Sequence, residues 1–435
     1  MKTIFTTLFA IGIAHFSFAQ SYTSWLSGSA QDLEVQPDFG ICLMGGGIES
    51  DPAMVWFLEK ANGGDVVVLR TSQSDGYNNY MYNQLGVSLN SVETIRFNSA
   101  AAANDPYVIE RLNGAEAIFM AGGDQSYYVN YWRDTPVEEA INNLLNVRGG
   151  VVGGTSAGMA VMAQGYFSAQ NGSIDSDEAL ANPFDNYLTL GWNDFVDAPF
   201  LENAITDTHF NERDRYGRLL TFMARLINDH NLEYAHGVAS NEHVAIAIGA
   251  DGLAHAYGEY PEYSDEFAYF LQSNCEVVQA PEIIESNQPL TWNRNSGAVK
   301  VYRVPATESG ENFFDLNDWI SGSGGTWENW YAENGTLTRT YNESAPDCIL
   351  GLSKEENQLF RLYPNPASTE LKVEFLESFS GKWQIVDIAG RVVMSGRSTN
   401  IDFQSIDLSK LNSGAYTLML NSDHKTISSP FLKTR

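Results

Sequence analysis

The chain has 435 residues, a formal net charge of −29, 43% hydrophobic and 18% charged residues, and three cysteines. That length exceeds one ordinary core and predicts two or three domains, and the composition is that of a folded chain, which excludes extended disorder. An acidic surface repels phosphate, which excludes nucleic-acid partners, and three cysteines are too few for a disulfide-stapled fold.

Residues 1–19 read as a signal peptide: Lys2 gives the positive start, residues 4–18 a short apolar run, and Ser17-Phe18-Ala19 a small-x-small cleavage site. The run is too short and too interrupted to span a bilayer, and no later stretch is apolar enough to do so. The mature chain is therefore expected beyond the inner membrane, through the periplasm. Cys42, inside an apolar run, is expected to be a buried small hydrophobe, and Cys275 and Cys348 are free to pair in an oxidising compartment.

From residue 38 to about 258, short apolar runs alternate with amphipathic stretches. Residues 40–44, 65–69, 93–96, 115–121 and 149–154 read as buried strands, and residues 52–62 and 136–146 as helices with proline in a tolerant first turn. This alternation predicts an α/β fold, a mostly parallel sheet flanked by helices, with chemistry at the carboxyl ends of its strands. Three glycine-rich turns fall at such places: Gly45-Gly46-Gly47, Gly122-Gly123-Asp124-Gln125 and Gly153-Gly154-Thr155-Ser156-Ala157-Gly158.

Residues 20–285 are taken as the catalytic domain. Residues 286–352, with Trp292, Trp319, Trp327 and Trp330 among Gly, Ser and Asn, form a β-rich structural annex, because large aromatics pack such extensions onto a main domain. A linker at 353–357 leads into short alternating β segments over 358–435. That tail holds nine Lys and Arg against seven Asp and Glu, so the negative charge lies upstream of it.

The third glycine-rich turn fits a G-x-S-x-G nucleophile elbow: an apolar strand, small residues, Ser156, then a helix-forming stretch. The N–H of Ala157 points where an oxyanion would form, and the loop holding Gly123 is placed to give a second donor. No Lys follows the turn, which excludes a Walker phosphate cradle. A serine needs a base, and His209 and His243 are the candidates, with Glu242 at a strand junction as a carboxylate able to orient an imidazole. Without H-E-x-x-H or paired cysteines, no metal or other cofactor is implied.

Two resemblances follow from these motifs. Met44-Gly45-Gly46-Gly47, the two later glycine turns, Asp207-Thr208-His209-Phe210 and residues 237–242 resemble cyanophycinase and the dipeptidase E peptidases, whose fold is similar to class I glutamine amidotransferases. The resemblance implies Ser156 as nucleophile, His209 as base, Glu242 as orienting acid, and Gln125, Arg213, Arg215 and Arg218 as substrate-binding residues. It implies a peptide substrate of the cyanophycin or β-aspartyl class, and a homodimer is compatible with it. Thr208 stands where the family carries glutamine, which touches substrate identity and leaves the triad unaltered. The order Ser156, His209, Glu242 differs from the serine, acid, histidine order of a lipase-like esterase. A non-catalytic surface binding protein is the other alternative.

In the tail, Tyr363-Pro364-Asn365-Pro366, Asp387-Ile388-Ala389-Gly390-Arg391 and Leu411-Asn412-Ser413-Gly414-Ala415-Tyr416 resemble the C-terminal sorting domain of type IX secretion cargo in Bacteroidetes. This implies a C-terminal immunoglobulin-like β-sandwich, the type IX secretion machinery as partner, and a secreted or cell-surface location.

Overall fold

The computed structural model describes residues 20–348, 360–387, 391–421 and 426–434. The expected signal peptide and linker lie outside the described residues, as do Ile388, Ala389 and Gly390 of the tail motif. The chain divides into two compact units between Pro346 and Asp347.

In the first unit, five strands form the parallel middle of a ten-stranded sheet, in the order Ser91–Phe97, Asp65–Arg70, Ala117–Met120, Val151–Thr155, Gly40–Met44. A strand covered on both faces needs apolar residues at successive positions, and Ile41, Cys42, Leu43, Val66, Val67, Val68 and Leu69 are all fully buried. Tyr22–Gly28 adds antiparallel on one side, and Ala245–Ile248 followed by Leu253–Tyr257 on the other. The strand expected from residue 149 starts at Val151, because Gly149 takes a left-handed φ of 65° that stops the preceding helical turn. Helix Asp51–Glu59 carries Pro52 at its second position, and Pro136–Asn143 begins on proline with Thr135 accepting from the Val137 N–H.

A second sheet, of eight strands, packs its own apolar cluster. At its centre Ala204–Asp207 runs parallel to His236–Ser240, followed antiparallel by Phe267–Ser273, Val299–Pro305, Thr326–Glu333 and Thr336–Glu343. The last three strands come from the Trp-rich stretch, where Trp292 and Trp330 are fully buried and Trp319 stacks on His236 with ring centroids 3.6 Å apart. Helix Tyr216–His230 covers this sheet with Leu219, Leu220, Phe222, Met223 and Leu226. It starts only at Tyr216, since Asp214 has a φ of 44° and interrupts any helix through it.

The tail unit is antiparallel throughout its named strands: Phe360–Tyr363 pairs Glu370–Asp387, which also pairs Val392–Asp407 and Gly414–Asn421, and the last strand, Thr426–Lys433, pairs Gly414–Asn421. A bridge from Ala367 to Lys433 brings the last strand back to the first turn, so the sheet nearly closes in a sandwich-like manner. Leu371, Val373, Ile385, Leu408 and Leu418 fill it. Cys42 is free and buried, and burial pushes its thiol up to about 12. Among the described residues, no helix is long and apolar enough to cross a membrane.

Candidate active site

The site lies where strands of both sheets end. Gly40–Met44 and Val151–Thr155 deliver the Gly45-Gly46 turn and Ser156, and the parallel pair Ala204–Asp207 and His236–Ser240 delivers His209 and Glu242, each two residues past its strand. Strand ends leave side chains and N–H groups unclaimed by the ladder, which is why open sheets carry chemistry there.

Three successive carbonyls of the first turn hold the three segments together. Met44 accepts from the Ser156 N–H at 3.0 Å, Gly45 from the His209 N–H at 2.8 Å, and Gly46 from the His243 N–H at 2.9 Å. Sequence reasoning found the glycines without this role. Its signal is their position at a strand end, but which segments come to them is set by the tertiary fold.

Ser156 Oγ lies 2.7 Å from His209 Nε2, and His209 Nδ1 lies 2.5 Å from Glu242 Oε1. The three side chains named from the sequence are thus in one relay. His243, the rival base, is exposed at the next turn, and the nitrogen that meets Ser156 Oγ belongs to His209. Ser156 sits at a φ of 50° and His209 at 46°, left-handed values that cost a non-glycine residue roughly 1–3 kcal/mol each and persist only where the surroundings enforce them. Gly158 permits the elbow: a Cβ there would meet the Met120 carbonyl oxygen at 2.1 Å. The stretch after Ser156 differs from the expected helix. It is one 3-10 turn, Met159–Val161, because Thr206 Oγ1 donates to the Met159 carbonyl at 2.7 Å and the segment is buried among the sheets.

Gly122 backs onto the nucleophile: a Cβ added to it would lie 3.6 Å from Ser156 Cβ. Ala157 directly follows the nucleophile, and Gly123 directly follows Gly122 in the loop that backs onto it. His209 is 7% exposed, and burial lowers its imidazole from the ordinary value; the Glu242 hydrogen bond opposes this, and the cations Arg213 and Arg215 add to it. The ring is therefore neutral near pH 7 and ready to accept a proton.

The residues expected to bind substrate separate into different environments. Gln125 begins helix Gln125–Trp132 and donates to the Phe167 carbonyl at 3.3 Å, and Arg213 is exposed. Arg218 is buried. Its fork is spent on Asp207, Nε at 2.8 Å and Nη2 at 2.6 Å, with Nη1 on the Ile174 carbonyl at 3.2 Å, and the side chains of both Arg218 and Asp207 are 3% exposed. A guanidinium so enclosed has no face for a ligand. Arg215 is 12% exposed and turned towards Thr208 and Asp207.

A cavity of about 630 Å³ opens beside Glu242, lined by Glu49, Asp51, Glu212, Asp265 and Glu266 among others, and none of the described Lys or Arg residues lines it. Eight acidic residues, Glu242 among them, thus line one cavity next to the relay.

Both units of the chain are similar to known proteins. Residues 70–252 match the family model "Peptidase family S51", and residues 361–433 match "Secretion system C-terminal sorting domain". A cyanophycinase of Geminocystis herdmanii is 32% identical over 115 residues, 26% of this chain and 38% of that protein. A cyanophycinase of Trichormus variabilis is 25% identical over 228 residues, 51% of this chain and 64% of that protein. The chain thus spans less than two thirds of the length of these relatives, 38% and 64%. A solved peptidase from an acI-B1 Actinobacterium overlaps 52% of this chain and 89% of its own at 15% identity, with a TM-score of 0.38.

Proposed function

With residues 70–252 a peptidase family S51 segment and residues 361–433 a secretion-system sorting domain, we propose that this chain is an exported serine peptidase of the cyanophycinase type, working through Ser156, His209 and Glu242. The observation that carries the reading is the continuous relay, 2.7 Å from Ser156 Oγ to His209 Nε2 and 2.5 Å from His209 Nδ1 to Glu242 Oε1.

In this mechanism His209 Nε2 takes the Ser156 proton as Oγ attacks the scissile carbonyl carbon. The oxyanion gathers the N–H groups of Ala157 and Gly123, and Glu242 steadies the imidazolium. The tetrahedral intermediate collapses by breaking the C–N bond, His209 gives its proton to the leaving amine, and an ester on Ser156 remains. Water, deprotonated by the same imidazole, hydrolyses it.

The acidic cavity beside Glu242 favours a substrate bearing a cationic group, and the cyanophycinase relatives favour cyanophycin or a peptide like it. The test is incubation with cyanophycin, β-aspartyl dipeptides and ordinary aspartyl peptides, read by mass spectrometry, for the wild type and Ser156→Ala. Cleavage by the wild type and none by the folded variant is expected; equal cleavage by both would end the reading.

A further inference from the structure

We propose that Arg215 is a positioning residue for His209 and does not hold substrate. The inference rests on the serine relay described above and concerns how its base is kept in place.

His209 is clamped on both sides by Arg215. The side chain donates from Nη1 to the carbonyl of Thr208, the residue before the histidine, at 2.8 Å, and to Thr208 Oγ1 at 3.1 Å. The backbone N–H of the same Arg215 donates to the carbonyl of Phe210, the residue after it, at 2.9 Å. The peptide plane between Thr208 and His209 is what sets the histidine's left-handed φ of 46°, so a bond to that carbonyl opposes its relaxation. Thr208 is 2% exposed and its hydroxyl faces inward, which draws the guanidinium off the surface.

The charge is anchored below. Asp207 lies 3.5 Å from Arg215 Nη1 and is itself held by Arg218, so the acid, the two arginines and the turn are one buried assembly. Arg215 keeps only 12% of its side-chain surface exposed, little with which to meet a substrate carboxylate. The charged groups bearing on His209 are Glu242, Arg213 and Arg215. Removing Arg215 removes one of the cations that disfavour the imidazolium.

The discriminating probe is an uncharged fluorophosphonate, which phosphonylates an activated serine but offers no carboxylate to an arginine. Arg215→Ala leaves the Asp207–Arg218 pair intact, and circular dichroism checks its fold. The variant is expected to label roughly ten- to a hundredfold more slowly than the wild type, the scale of a misplaced catalytic group, with the acid limb of its labelling profile moved to higher pH. Arg215→Lys keeps the charge without the fork, so its acid limb should stay in place while labelling remains slow. Wild-type labelling by folded Arg215→Ala, with a raised KM for peptide, would overturn the proposal and make Arg215 a substrate residue. A wild type that does not label, or a Ser156→Ala variant that labels equally, would overturn the relay itself, an outcome distinct from the failure of Arg215 alone.

Discussion

The imidazole of His209 lies directly on the backbone of Gly46: a Cβ at that position would come within 2.3 Å of His209 Cε1 and 2.6 Å of Nε2. Gly46 also holds a φ of 107°, open only to glycine without strain. Gly46→Ala is therefore expected to displace the base from Ser156 while the sheets remain folded. The loss in kcat should be about a hundredfold, as for a catalytic group moved by about 1 Å. Steady-state kinetics beside a circular dichroism spectrum checks this, and an unaltered kcat would show that the ring has room to yield.

Glu242 and His209 make a pH prediction with a definite sign. Burial lowers the histidine pKa, so the acid limb of kcat/KM for the wild type should lie below about 6.5, the usual histidine value. The Glu242 hydrogen bond raises that pKa, so Glu242→Gln should move the limb to still lower pH, because protonation of the ring loses its partner. The same variant should lose on the order of a thousandfold in kcat, since the imidazolium formed in the transition state is no longer steadied. A pH–rate profile of both proteins measures the two effects together.

Arg218→Ala tests stability. It would leave the Asp207 carboxylate, 3% exposed, without its bidentate partner, at a cost of about 3–5 kcal/mol. Replacing both partners, Asp207→Leu with Arg218→Met, should recover only part of that loss, because the apolar pair needs no counter-ion but Arg215 loses the carboxylate 3.5 Å away. Urea unfolding of the three proteins reads the difference. If the single variant unfolds at the wild-type midpoint, the pair contributes nothing that water does not replace.

Removal of residues 358–435 should leave hydrolysis in vitro unchanged and stop delivery beyond the outer membrane. The relay lies wholly in the first unit, and the removed residues span the sorting-domain match at 361–433. Fractionation of cells producing both forms decides it. Surface or medium localisation of the shortened chain would contradict the sorting role.

Residue order was enough to find the parallel strands, since runs such as Val66-Val67-Val68-Leu69 are apolar at every position and only a doubly covered strand tolerates that. It was also enough to single out Ser156, because the packing of Gly158 against the Met120 carbonyl admits no side chain and leaves a glycine signature beside the nucleophile. His209 and Glu242 were legible through a family resemblance, and their residue types alone did not choose between His209 and His243. The second sheet was not legible, and it is what brings the ends of Ala204–Asp207 and His236–Ser240 to the turn after Gly40–Met44. Nor were the fates of the arginines: at 213, 215 and 218 they share one charge and one stretch of chain, yet Arg213 is exposed while Arg218 is buried on Asp207. Burial of a guanidinium depends on a counter-ion reaching it through space, and Asp207 is fixed by a strand that pairs with His236–Ser240, a segment on the far side of Arg218's helix in the chain.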